Sequence, residues 1–156
     1  MSVADQRAAA RLAAVQALYQ MEVADKGLND ILAEFESHWI GREVEGAQYK
    51  PAEMSLFRDI LSGVLADQRA IDRGLDDTLA QGWPLKRIEA LMRAILRAGL
   101  YELRARPDVP ARVVIKEYVD VAAAFFAKEE AGMINAVLDT LARQARPKEF
   151  ARESDG

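Results

Sequence analysis

Lys86, Arg93, Arg97 and Arg104 come nearest, by type and spacing, to a set of residues that could do chemistry. On a helix turning about 100° per residue they fall within roughly 40° of one another, opposite the apolar side and with Tyr101 beside them. Cations at that spacing with a ring between them suit a single nucleic-acid strand, because the charges neutralise phosphates and the ring offers a base a stacking face. The same pattern describes a solvated helix face on which Arg97 and Tyr101 are tied to Glu102 or Glu117, and spacing alone leaves both readings open. Arg7 and Arg11, one turn apart near the start of the first helix, form a second cationic pair. Positive charge there opposes the helix macrodipole and points to an anionic partner; two plain surface arginines is the alternative. Gln16 and Tyr19 are spaced to approach one groove, although Tyr19 sits in an apolar arc and reads as core. Trp39 and Trp83 read as packing anchors, and His38 has no second ligand in reach.

No catalytic constellation accompanies these residues. Carboxylates are plentiful, but pairs such as Glu129-Glu130 and Asp76-Asp77 are sequence neighbours, which on a helix do not converge on one substrate. No phosphate-cradling glycine loop, nucleophile elbow or metalloprotease motif occurs, and the residues imply neither cofactor nor metal. The reading is a protein that is not an enzyme and works through its surfaces. The chain has 156 residues, no cysteine, one histidine, and a net charge of −4. That length supports one domain with a sizeable core. The absence of cysteine excludes a disulfide scaffold and thiolate chemistry and fits a cytoplasmic protein. The acidic balance argues against non-specific nucleic-acid binding without excluding a local basic patch. No stretch approaches the ~20 apolar residues of a membrane span, and the N-terminus does not read as a signal peptide.

The elements that must position these residues read as seven helices without a convincing strand, an all-α fold. An alanine-rich run from Arg7 to Val23 carries Leu12, Val15, Leu18, Tyr19 and Val23 on a wide arc, with Ala9, Ala13 and Ala17 opposite. After an Asp25-Lys26-Gly27 break, Leu28 to Trp39 has the 3-and-4 spacing of an amphipathic helix, and Gly41 to Pro51 reads as a loop. Leu56 to Leu65 and Ile71 to Leu79 form two further stripes, the second stopping at Gly82. Pro84 suits the first turn of a helix running to Leu103. Val113-Val114-Ile115 has strand propensity, but the spacing through Tyr118, Ala122 and Phe125 predicts a helix. A last helix uses Ile134, Val137, Leu138 and Leu141. The chain is read as a single domain over 1–156, with sub-bundles at about 1–81 and 82–146 and a frayed polar tail from Arg146.

ARLAAVQALYQ (10–20), FRDILSGV (57–64), ILRAGLYEL (95–103), DVP (108–110), VIKEYVDVAAAF (114–125) and INAVLD (134–139) together resemble the NusB family of bacterial transcription antitermination factors. The similarity runs in order over nearly the whole chain. It implies two packed helical bundles, a heterodimer with NusE (a small-subunit ribosomal protein), and binding of single-stranded boxA-type RNA from ribosomal RNA operons. It further implies assembly with RNA polymerase and other Nus factors to suppress termination. Carried over by position, the implied RNA face is Arg7, Arg11, Tyr19, Met133 and Asn135, to which the residue-based reading adds Gln16, Arg97 and Tyr101. The implied NusE face is Glu89, Met92 and Arg93. The chain departs from the family pattern at Ala8, Ala9 and Ala10, where arginines are frequent, and at Met133, where an aromatic is. Met92 stands where an acid is common, and Ala136 where a glycine is. The rival readings are a protein-only scaffold or homodimer and an accessory domain of the kind attached to ribosomal RNA methyltransferases.

Overall fold

The computed structural model describes residues 2–44, 51–79 and 85–151, without the side chains of residues 38–44, 51–53 and 87. The readings of His38, Trp39, Gly82, Trp83 and Pro84, and of the loop over 45–50, lie outside the described residues. Seven α-helices follow in order: α1 (Val3–Val23), α2 (Leu28–Val44), α3 (Pro51–Ala66), α4 (Gln68–Thr78), α5 (Ala90–Ala105), α6 (Ala111–Phe125) and α7 (Lys128–Ala145). Two short 3-10 turns, Leu85–Arg87 and Pro147–Phe150, complete the described elements, among which there is no strand. The expectation of an all-α chain holds, and the Val113-Val114-Ile115 run is helical.

α1 starts on a capping box. Asp5 donates its backbone N–H to Ser2 Oγ at 3.1 Å, and Ser2 donates its own to Asp5 Oδ2 at 3.3 Å, which uses donors a helix start otherwise leaves unpaired. The helix ends at Asp25, whose φ of 53° turns the chain through the left-handed region. Its inward side differs from the expected arc. Ala10, Ala14 and Ala17 are fully buried with Val15 and Leu18, while Tyr19 is 37 % exposed and Val23 60 %. The bulk comes from the partners: α3 supplies Phe57, Ile60 and Leu61, and α5 supplies Ile95 and Leu96. Small residues on α1 let those side chains, each contributing about 1.5–3 kcal/mol when fully buried, lie close beneath it.

α5 is the central element and packs on α1, α3, α4, α6 and α7. It thus touches both of the groups into which the sequence divides. At Gly99 a Cβ would lie 2.9 Å from Leu138 Cδ2, so α5 and α7 meet closely enough that any larger residue there must push the Leu138 side chain aside.

Three expectations about element ends are corrected. α2 continues past Gly41 to Val44, since one glycine costs a helix only about 1 kcal/mol. The helix expected from Pro84 begins only at Ala90: the Leu85–Arg87 turn and an extended Glu89 (φ −54°, ψ 141°) precede it, so Lys86 is not on α5. The tail from Arg146 to Phe150 is docked, not frayed. Phe150 is 3 % exposed, with the Arg112 and Arg143 guanidiniums 5.2 and 4.6 Å from its ring centroid. Arg146 donates to the carbonyls of Glu102 (3.0 Å), Leu103 (2.9 Å) and Arg106 (2.6 Å), and also to that of Val109. It closes the C-terminal end of α5, where carbonyls lack helical partners and the macrodipole favours a cation. Glu149 accepts the Ala111 N–H at 2.9 Å at the start of α6, and that bond helps hold its carboxyl below the ordinary range.

Candidate nucleic-acid and partner interface

The α5 stripe is real as a shared helix face, but Arg93, Arg97 and Tyr101 are turned against other helices and Arg104 alone of its α5 members is exposed. Arg97 forms a two-pronged pair with Asp72 of α4 (Nε–Oδ1 2.8 Å, Nη2–Oδ2 3.0 Å) and reaches Glu22 of α1 at 3.3 Å. Arg93 donates to Glu22 and to the Ile88 carbonyl. Arg104 donates to the Ala70 carbonyl of α4 at 3.3 Å. Tyr101 donates its hydroxyl to Asp59 of α3 at 2.7 Å while its ring lies on Gly63, where a Cβ would be 2.1 Å from a ring carbon. Partial burial and the facing Asp59 carboxylate push the Tyr101 hydroxyl up to about 12. Arg97 and Tyr101 are therefore cross-links from α5 to α1, α3 and α4, and their assignment to an open RNA face is corrected. Periodicity shows which residues share a side of a helix, not which neighbour covers that side. The anticipated tie to carboxylates is present, with Glu22, Asp59 and Asp72 in place of Glu102 and Glu117.

Arg11 is corrected for the same reason, more strongly. It is 2 % exposed, deep between α1, α5 and α6. Its Nε and Nη2 meet the two Glu102 oxygens at 2.7 and 3.0 Å, and Nη1 lies 3.8 Å from Glu117. Tyr118, fully buried, donates to the same Glu102. Burial and the Glu102 charge raise the Tyr118 hydroxyl well above its ordinary value. Burial is the strongest single influence on Arg11 and pulls the other way, but the hydrogen bonds and charge of Glu102, with Tyr118 and Glu117, together outweigh it and raise the guanidinium above its ordinary value. A guanidinium so enclosed has no path to a phosphate.

The other candidates remain reachable to differing degrees. Gln16 is exposed and Tyr19 is 37 % exposed, about 60° apart on the open side of α1. Arg7, half-buried, lies on α1 about 120° from Tyr19 and roughly opposite Gln16. It sits toward the α5–α6 connector: burial pushes the Asp108 carboxyl up, but Arg106, hydrogen bonds and, least of all, Arg7 together outweigh it and hold the carboxyl below its ordinary range. Asn135 is exposed on α7, and Met133 is half-buried against the core. α1 and α7 both pack on α5 and α6, which places the two sets on neighbouring elements. On the partner side, Glu89 is exposed just before α5. Met92 is only 6 % exposed and belongs to the core, so its assignment to a partner surface is corrected; the apolar side chain standing where an acid is common packs inward. Arg93 lines a cavity of about 230 Å³ with Glu22, Asp72, Asp76, Leu85, Lys86 and Arg97.

Sequence reasoning missed the roles of Glu22, Asp59, Asp72 and Arg146. Their contacts span 25 to 75 positions, so no local pattern carries them. The one available signal was the excess of arginine on a chain of net charge −4, which implies that most guanidiniums find carboxylates.

These features define an all-helical bundle in which several arginines hold helices together and the candidate RNA-facing residues that stay reachable lie on α1 and α7. The comparisons give that class a family. The model of the NusB family matches residues 8–143, and the chain belongs to the NusB family. It is 64 % identical over 149 residues to a transcription antitermination protein NusB of Nitrobacter hamburgensis, covering 96 % of this chain and 93 % of that protein. It is 65 % identical over 147 residues to the protein of the same name from Bradyrhizobium sp. (strain ORS 278), covering 94 % and 88 %. Among solved structures it resembles T. maritima NusB with a TM-score of 0.78 at 28 % identity, over 93 % of this chain and 96 % of that one. A chain of a crystal structure of antitermination factors NusB and NusE in complex with dsRNA shares the fold at 20 % identity (TM-score 0.72), over 90 % of this chain and 98 % of that one.

Proposed function

We propose that this chain is a transcription antitermination factor that binds boxA-type RNA of ribosomal RNA operons together with NusE and joins RNA polymerase and other Nus factors to suppress termination. The observation that carries the reading is the full-length similarity to proteins of that name, 64 % identical over 96 % of this chain. It acts as an adaptor, without turnover. Tyr19 stacks on an unpaired base, Gln16 and Asn135 offer amides to base edges, Met133 packs its thioether on a ring, and Arg7 meets a phosphate. Glu89 and the Arg93 edge of the α5 cavity face NusE.

Titrating a boxA-like RNA against the protein with and without NusE, over a range of salt, tests the reading. Binding that strengthens with NusE and weakens as salt rises is expected. No binding at any salt, with NusE present, would leave the protein-only scaffold. A duplex competitor decides strandedness: RNA readout through splayed bases requires that the single strand win. Arg7→Ala should lower affinity and leave NusE binding intact.

A further inference from the structure

The side of α1 turned to the core is nearly smooth. Ala10, Ala14 and Ala17 are fully buried there beside Val15 and Leu18, with Leu12 and Met21 partly buried against the core. A helix seated on alanines presents shallow ridges, so apolar contact alone resists rotation or sliding weakly. One residue of slip moves every side chain of α1 by about 1.5 Å along the axis and about 100° around it. That would carry Tyr19 and Gln16 off their present face.

Against this shallow side stands one fully buried directional contact, the Glu22 pairs to Arg93 and Arg97 at the other end of α1 being partly open to water. Both Glu102 oxygens are committed: Oε1 to Arg11 Nη2 at 3.0 Å, and Oε2 to Arg11 Nε at 2.7 Å and to the Tyr118 hydroxyl. Glu102 is 0 % exposed and Arg11 2 %, so no water competes for the bonds. Glu117 stands on the outer side of the guanidinium at 3.8 Å. A buried ion pair adds little net stability compared with apolar residues of like size, because desolving both charges offsets their attraction. What it supplies is a single geometry, the role for which a buried polar residue is best attested in helix pairing.

We propose that Arg11, through Glu102 and Tyr118, is the positioning residue that fixes the register of α1 on α5 and α6, and so the place of Gln16 and Tyr19 on the RNA face. The inference rests on the RNA reading above only for the roles of Gln16 and Tyr19. The chain's lack of cysteine allows clean spin-labelling at Val23→Cys on α1 and Gln144→Cys on α7, both exposed positions. The distance between these labels is measured in the otherwise intact protein and in the apolar triple variant Arg11→Met, Glu102→Leu, Tyr118→Phe. The intact protein should give one narrow distance, and the variant a broadened or second one with no loss of helix content. In unlabelled protein the triple variant should bind boxA-like RNA roughly tenfold more weakly, the equivalent of a lost base stack, with an unchanged salt slope and unchanged NusE affinity. Arg11→Lys, which keeps the charge and loses the two-pronged geometry, should move both readouts the same way and serves if the triple variant does not fold.

An unchanged narrow distance, or unchanged RNA affinity, overturns the proposal; so does a reduced salt slope, which would make Arg11 a phosphate contact. If the intact protein binds no RNA under any condition, the functional reading fails on its own, and the label distances still decide whether Arg11 sets the register.

Discussion

Gly63 and Tyr101 show how tightly single residues are set against each other. The ring edge fills the space of a Cβ, and it has no freedom to retreat because its hydroxyl is bonded to Asp59. Gly63→Ala should therefore destabilise the fold by about 1–3 kcal/mol, seen as a lower urea midpoint with an unchanged slope. A midpoint equal to that of the intact protein would mean that α3 and α5 separate freely there. Tyr101 also carries a pH signature. Its hydroxyl is raised in the folded state from the ordinary tyrosine value of 10 to about 12, so the folded protein holds that proton more tightly than the unfolded chain does. The stabilisation is fully present below pH 10 and is lost as pH climbs through about 12. Tyr101→Phe should flatten that part of the stability curve and remove one late ionisation from an alkaline absorbance titration. A curve unaffected by the substitution would contradict the assignment.

At the scale of elements, much was legible and the errors share a cause. All seven helices follow from apolar spacing, because a helix that buries one side must repeat with the helical period. The inward side of α1 was read in part: Val15 and Leu18 are core and Leu12 packs against it, but Tyr19 and Val23 turn outward and close packing chose Ala10, Ala14 and Ala17. The inward turn of the arginines on α5 was legible only as one of two options, and the partners were not, because Asp59, Asp72 and Glu22 lie on other helices. Of the candidate site, Gln16 and Asn135 are exposed, Tyr19 is on the surface although its apolar arc read as core, and Arg11 and Met92 are core. Two element ends are open to test. Asp25 holds φ at 53°, which glycine adopts without Cβ strain, so Asp25→Gly should stabilise the protein by about 0.5–1 kcal/mol in thermal unfolding. A lower melting temperature would mean that the aspartate makes up the strain elsewhere. Arg146→Met takes the donor from the Leu103 carbonyl at the end of α5 and from the Val109 carbonyl and should cost about 2–4 kcal/mol, read by urea unfolding. A cost under about 0.5 kcal/mol, the level of an ordinary surface change, would show that the tail merely rests on the bundle.

For the whole molecule, the charge layout sets how it meets a polyanion. The first 79 residues hold 14 acids against 8 bases, and the arginines of α5 are spent on several of those acids. Arg93 and Arg97, so paired, add little to the cations that can meet phosphates, and each phosphate neutralised on a single strand steepens the logarithmic salt slope by only about 0.7. The chain alone should therefore bind boxA-like RNA with a slope between about 0 and −2, steepening when NusE is added. A slope beyond about −4 without NusE would mean that the α5 arginines leave their carboxylates on binding. The Arg146 clasp has a consequence for how the molecule is made. Its guanidinium closes on the Leu103 carbonyl, 43 positions earlier in the chain. A translating ribosome has thus finished the central helix long before the residue that seals its end is synthesised, and that seal forms only after the last turn of the bundle has emerged from the exit tunnel.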